Sequence, residues 1–256
     1  RLQQRAMQHT ALTREMDLAK EVQEALLPKH PVKIANFEAQ GWTRTASVTG
    51  GDGFDLWKTT DDRLAIFVAD ASGHGLAPAL VMSQVRAIVR TIADARPLAS
   101  PLDILARVNA RLRYDLEAGR FVTAFLGFLA DDGKMEWASA GHGPILFRTK
   151  AGETWARVPA STFPLGVLHP WYDKSPTPTQ FDEGGALVVI SDGIFEAPNA
   201  SGHQFGIGRV TDCLDENLNQ TPASAIDNLR RAVEIWQTTS EPRDDQTIVV
   251  VKRVSA

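Results

Sequence analysis

Strand-like apolar runs in this chain repeatedly break off at an aspartate. "RLAIFVAD" (63–70) ends in Asp70, "ALVVIS" (186–191) runs into Asp192, and "QTIVVVKRV" (246–254) is entered through Asp244 and Asp245. A further stretch, "GGDGFDLW" (50–57), sets Asp52 and Asp55 inside what otherwise reads as strand. Aspartate is depleted in strands because its short carboxylate competes with the backbone for hydrogen bonds. Any one of these acids reads as an ordinary turn or strand-end residue capping local donors. Their repetition at equivalent places is the constraint. Carboxylates brought together by a sheet raise one another's pKa and destabilise the fold unless something compensates. A dication does so. Hard oxygen donors without Cys or His suit magnesium or manganese, and there are enough acids for a pair of ions.

The rest of the chain divides by periodicity. Leu12, Met16, Ala19, Val22 and Leu26 recur at steps of three and four and stop at Pro28, which predicts an amphipathic N-terminal helix. That stripe either packs on the domain or forms a short two-stranded coiled coil. Strands are expected at 36–46, 54–59 and 63–70, with "TTDD" as the turn between the last two. Two helices follow, Leu76–Ala93 and Leu102–Ala118, the second announced by Ser100, Pro101 and Asp103. Strands resume at 121–130, "MEWASA", "ILFRT", 154–158 and 186–191. Helices at 208–218 and 223–238 precede the final strand. The Pro/Thr-rich segment 173–180 reads as an exposed loop. Strands first, paired helices, then strands and helices again predict an α+β protein, an antiparallel sheet system with helices on its outer faces.

Composition excludes some functions. A net charge of −4 argues against a nucleic-acid-binding surface. The apolar runs fall short of the roughly 18 residues that a membrane span needs. Cys213 is the sole cysteine, so no intrachain disulfide or cysteine-based zinc site forms, which suits a cytoplasmic setting. The start at Arg1, without methionine or a signal-like apolar centre, reads as a cut from a longer protein.

The stretches "SVTGGDGFDLW", "VADASGHG", "ASAGHGPILF", "FPLGV", "ISDGIFEAPN" and "RDDQTIVVV" come in the order and character seen in the sporulation stage II protein E-like branch of the PPM, or type 2C, metal-dependent phosphatases. The resemblance runs from about Glu21 to the C-terminus, and "EMDLAKEVQEALLPKHP" resembles the helix that joins an upstream sensory domain to the phosphatase in that family. The resemblance implies a four-layer αββα sandwich for residues 31–256, preceded by a linker helix in residues 1–30. It implies two manganese or magnesium ions and hydrolysis of phosphoserine or phosphothreonine on a protein such as an anti-sigma factor antagonist. Separately, the apolar stripe of the N-terminal helix predicts a homodimer through that helix.

Carried over by motif, Asp52 resembles the ligand bridging both ions. Asp70 and the Ala71 carbonyl would serve one ion, and Asp192 with Asp244 the other. Asp55 then either orients a metal-bound water or caps its turn, and Asp245 lies beside the ligand set. Two ions about 3.5 to 4 Å apart lower the pKa of a shared water, so no protein nucleophile is required. His74 and His142 both stand in Gly-His-Gly, and each either protonates the leaving oxygen or bonds a neighbouring loop. Arg44 and Arg86 are candidates for holding phosphate. Phe54 stands where tyrosine is common in this branch. Two other readings stay open: a catalytically silent partner-binding module, and a phosphoesterase of small molecules.

Overall fold

The computed structural model describes residues 2–168, 171, 178–217, 221–238 and 241–254, with side chains from residue 13 onward except at 217. The chain opens with α1 (Leu2–Ala25) and β1 (Val32–Ile34), followed by the meander β2 (Phe37–Arg44), β3 (Asp52–Lys58) and β4 (Leu64–Ala71). The helices α2 (Leu76–Ala95) and α3 (Pro101–Asp115) come next, then β5 (Val122–Leu129), β6 (Lys134–Ala140), β7 (Ile145–Arg148) and β8 (Ala156–Val158). The remainder holds β9 (Thr179–Gln180), β10 (Ala186–Ile190), the single-turn α4 (Asp192–Phe195), α5 (Gly206–Asn217), α6 (Pro222–Gln237) and β11 (Gln246–Arg253). Ser100 caps α3 as its sequence predicts, accepting from the Asp103 amide with Pro101 in the first turn. The helix ends at Asp115, three residues short of the expected Ala118. Of the loop expected at 173–180, residues 173–177 lie outside the described residues, as does Leu218, and Thr179–Gln180 forms β9.

Two antiparallel sheets result, one in the order β1-β2-β11-β10-β7-β8 and the other β3-β4-β5-β6-β9. They stack face to face. Strand alternation sorts the side chains into three apolar layers. Phe54, Leu56, Ile66, Val68, Phe125, Leu187, Val189 and Val249 fill the space between the sheets. Trp57, Phe67, Ala69 and Leu126 turn outward beneath α2 and α3, meeting Met82, Val85, Val89, Ile104 and Val108. On the other side Val188, Ile190, Ile248 and Val250 meet Ile194, Val210, Ile226 and Leu229 of α4, α5 and α6. Burial on both faces is why the strands read as near-continuous apolar runs instead of alternating ones. Fully buried side chains such as Phe67 and Leu126 contribute about 1.5 to 3 kcal/mol each.

Helix α2 is long and apolar enough, by length and composition, to cross a membrane, contrary to the reading from apolar runs. It lies instead on the second sheet, its Met82, Val85 and Val89 buried there. Helix α1 also departs from expectation. Met16, Ala19 and Leu26 of its stripe are half-buried, but Val22 is 63% exposed, and Gln23 turns toward the domain in its place. The side chain of Leu12 lies outside the described residues.

Candidate metal centre

The acids meet where strand ends from both sheets share one rim of the seam. Asp52, the first residue of β3, lies directly opposite Asp70 near the end of β4, and Asp70 is in turn opposite Thr123 of β5. All three occupy the inward-facing parity of their strands. From the other sheet, Asp192 opens α4 two residues after β10 ends, and Asp244 and Asp245 precede β11. The glycines at this rim are required by close approach. A Cβ on Gly51 would stand 2.3 Å from the Ala71 carbonyl oxygen, one on Gly50 2.4 Å from Asp245 Oδ2, and one on Gly193 2.0 Å from the Asp245 carbonyl oxygen.

The electrostatics record the convergence. Asp52 is 4% exposed, and among the described residues its Oδ2 has no hydrogen-bond partner. Burial first and Asp70 second push its carboxyl well above the usual range, offset in part by the Ser191 and Thr247 hydroxyls. Burial, then Asp192, Asp244 and Asp245, raise Asp70 to about 7. Asp192 is raised by burial and then by Asp244 and Glu196. Such shifts are what a set of carboxylates shows before a cation joins it. A buried oxygen without a partner at the centre of a hard-donor set fits a divalent ion. Among the described residues, no three His, Cys, Asp or Glu side chains are gathered tightly enough to hold an ion by themselves. Any ion here would therefore draw on the Ala71 carbonyl and water as well.

Asp245 serves the backbone. Its Oδ1 accepts from the Ala46 amide at 2.7 Å, and its Oδ2 accepts from the amides of Gly51 at 2.7 Å and Asp52 at 3.4 Å. It ties the loop that carries Asp52 to the start of β11.

Asp55 does neither of the things expected of it. Three residues from Asp52 on a strand, it faces the opposite side of the sheet, toward α2, in mid-strand opposite Phe67. Its buried carboxylate lies 2.9 Å from Arg86 Nη2 and 3.0 Å from Arg90 Nη1. Arg86 is thereby engaged on the helix side and is not available to phosphate. Arg44 Nη1 lies 3.7 Å from Glu234 and borders a hollow beneath α1 that Asp52 and Ser47 also line, not the cleft shared by Asp70, Asp192 and Asp244. Phe54 points into the inter-sheet core with its ring against Gly41, so the missing hydroxyl has no place at the rim.

The two histidines separate. His142 is buried, with Nδ1 3.0 Å from Thr123 Oγ1. Burial, opposed by a backbone contact at Ile190, drives its pKa down to about 4. It is neutral at pH 7 and so offers no imidazolium proton, although it lines a small hollow with Asp70, Thr123 and Asp192. His74 is exposed and borders the cleft above the acids, a space of about 550 Å³ that Asp70, Thr123, Asp192, Arg243 and Asp244 also line. Arg243 is the lining residue that the sequence reading missed, although it directly precedes the Asp244–Asp245 pair.

Stacked antiparallel sheets with helices outside and a carboxylate rim at one end of the seam define the PP2C phosphatase fold. The SiaA-PP2C domain of Pseudomonas aeruginosa shares it with a TM-score of 0.81 at 20% identity, over 96% of this chain and 99% of that one. RsbX, solved in complex with magnesium, shares it with a TM-score of 0.62 at 14% identity, over 87% of this chain and 98% of that one. Residues 60–254 match the family described as Stage II sporulation protein E (SpoIIE), and the chain belongs to that family. It is also 22% identical over 244 residues to the phosphoserine phosphatase RsbP of Bacillus subtilis (strain 168), covering 93% of this chain and 57% of that protein's length.

Proposed function

We propose that this domain is a metal-dependent phosphatase that hydrolyses phosphoserine or phosphothreonine on a protein, an anti-sigma factor antagonist or a similar signalling protein of a bacterial partner-switching pathway. The observation that carries the reading is the convergence on Asp70, whose carboxyl stands at about 7 because burial and three aspartates of the facing sheet act on it together. Membership of the SpoIIE family and the named activity of RsbP support it.

Asp52, Asp70, the Ala71 carbonyl, Asp192 and Asp244 are the groups that would hold two manganese or magnesium ions. When bound, the ions supply Lewis acidity toward water and phosphate. The chain's own groups set the stage. Asp245 holds the Asp52 loop, His142 stays neutral behind Thr123, and His74 is the histidine placed to pass a proton to the departing serine or threonine oxygen. In this reading residues 1–30 form a linker helix to an upstream segment and pair with a second copy, residues 31–256 form the phosphatase domain, and the setting is cytoplasmic. Light scattering tests the pairing.

The deciding experiment is hydrolysis of p-nitrophenyl phosphate and of a phosphorylated antagonist protein, with manganese and with chelator. Manganese-dependent, chelator-sensitive turnover of the phosphoprotein is expected. Activity confined to small phosphoesters would assign a different substrate class, and no turnover with either would leave a silent binding module.

A further inference from the structure

The cleft that a dianionic phosphate would enter is walled by carboxylates. Asp70, Asp192, Asp244 and Asp245 all border it, with Glu196 in an adjoining hollow of about 210 Å³. Among the described residues, Arg243 is the one lysine or arginine bordering either space, and it borders both, beside Asp192 and Asp244 in each. It is exposed and, among the described residues, makes no ion pair or side-chain hydrogen bond. The other arginines near this end are engaged: Arg86 and Arg90 by Asp55, Arg44 by Glu234, and Arg120 by Glu117. Its attachment is also fixed. Asp244 Oδ1 accepts from the Asp245 amide at 2.9 Å, and Gly193 packs directly against the Asp245 carbonyl, so the Arg243–Asp245 turn is seated on the rim of the carboxylate set.

We propose that Arg243 grips the substrate phosphate, its guanidinium fork donating to two phosphate oxygens while the ester oxygen faces His74. The fork matches phosphate geometry, and the turn that carries it is already seated at the cleft. This inference rests on the phosphatase reading and adds the orienting group which neither Arg44 nor Arg86 supplies.

The test uses the whole chain loaded with manganese. Steady-state kinetics on a phosphoserine peptide are paired with calorimetric titration of inorganic phosphate and, separately, of manganese. Arg243→Ala is expected to raise KM and weaken phosphate binding by roughly tenfold, the worth of a charge-assisted hydrogen bond. Manganese affinity and melting temperature should stay at wild-type values. Arg243→Lys, which keeps the charge and loses the fork, should fall between the two. Unchanged KM and phosphate affinity in Arg243→Ala would overturn the proposal while leaving the phosphatase reading in place. So would a loss of manganese affinity matching the loss of activity. A wild-type protein with neither manganese-dependent turnover nor phosphate binding would overturn both.

Discussion

Gln23 of α1 holds Gly50 by both of its backbone groups, its Nε2 donating to the Gly50 carbonyl at 2.7 Å and its Oε1 accepting from the Gly50 amide at 3.2 Å. Gly50 stands two residues before Asp52, on the loop that Asp245 grips from the other side. The N-terminal helix is thus bonded to the backbone that aims the Asp52 carboxylate.

Gln23→Ala should loosen that loop without disturbing the core. Two hydrogen bonds of about 1 kcal/mol each are lost, so manganese affinity should fall by roughly an order of magnitude and the melting temperature of the metal-free chain by several degrees. Titration of activity against manganese checks the first and calorimetry the second. Unchanged manganese dependence would reduce the contact to packing.

The raised carboxyl of Asp70 gives a pH signature. Its folded value of about 7 lies above the ordinary 3.8, so between those values the folded state binds more protons than the unfolded one. The stability it contributes is complete below about 4 and is lost as pH rises through 7. In the metal-free protein, the difference in stability between wild type and Asp70→Asn should therefore turn against wild type across that window. Urea unfolding in chelator at several pH values measures it. A constant difference would contradict the convergence of charges.

Asp52→Asn and Asp192→Asn should each abolish manganese-dependent turnover with the fold retained, because both acids sit at the rim and not in the apolar layers. Manganese should raise the melting temperature of wild type by mass action, since the carboxylates converge only in the folded state, and should raise that of Asp52→Asn much less. Near-normal turnover or an equal thermal shift in either variant would remove it from the ligand set.

Asp55→Ala should behave in the opposite way. Removing a 1% exposed carboxylate strands Arg86 and Arg90 between β3 and α2. The cost is about 3 kcal/mol, at the low end for a broken buried pair because Arg90 is 41% exposed. Urea denaturation should show this loss. Under conditions where the variant remains folded, manganese affinity should be near that of wild type.

The one-dimensional pattern alone determined the longer elements, the α+β class and four strand-end aspartates, but not the short β1, β9 and α4, because burial on both faces, turn residues and helix caps are local demands written into consecutive residues. The Ser100 cap and the Asp70 strand end are examples. Tertiary structure decided what each polar residue faces. Asp52 and Asp55 look alike in "GGDGFDLW", yet a strand turns them to opposite sides of a sheet, one to the rim of the seam and the other to two arginines of α2. The Gly-His-Gly repeats look alike too, and burial among distant strands makes His142 neutral while His74 stays at the cleft. The same holds for Gln23 and Val22, neighbours on one helix whose roles depend on where Gly50, 27 residues beyond Gln23, comes to rest. Contacts of that range arise only when the sheets stack, because side-chain direction is set locally but the partner it meets is supplied by another part of the chain.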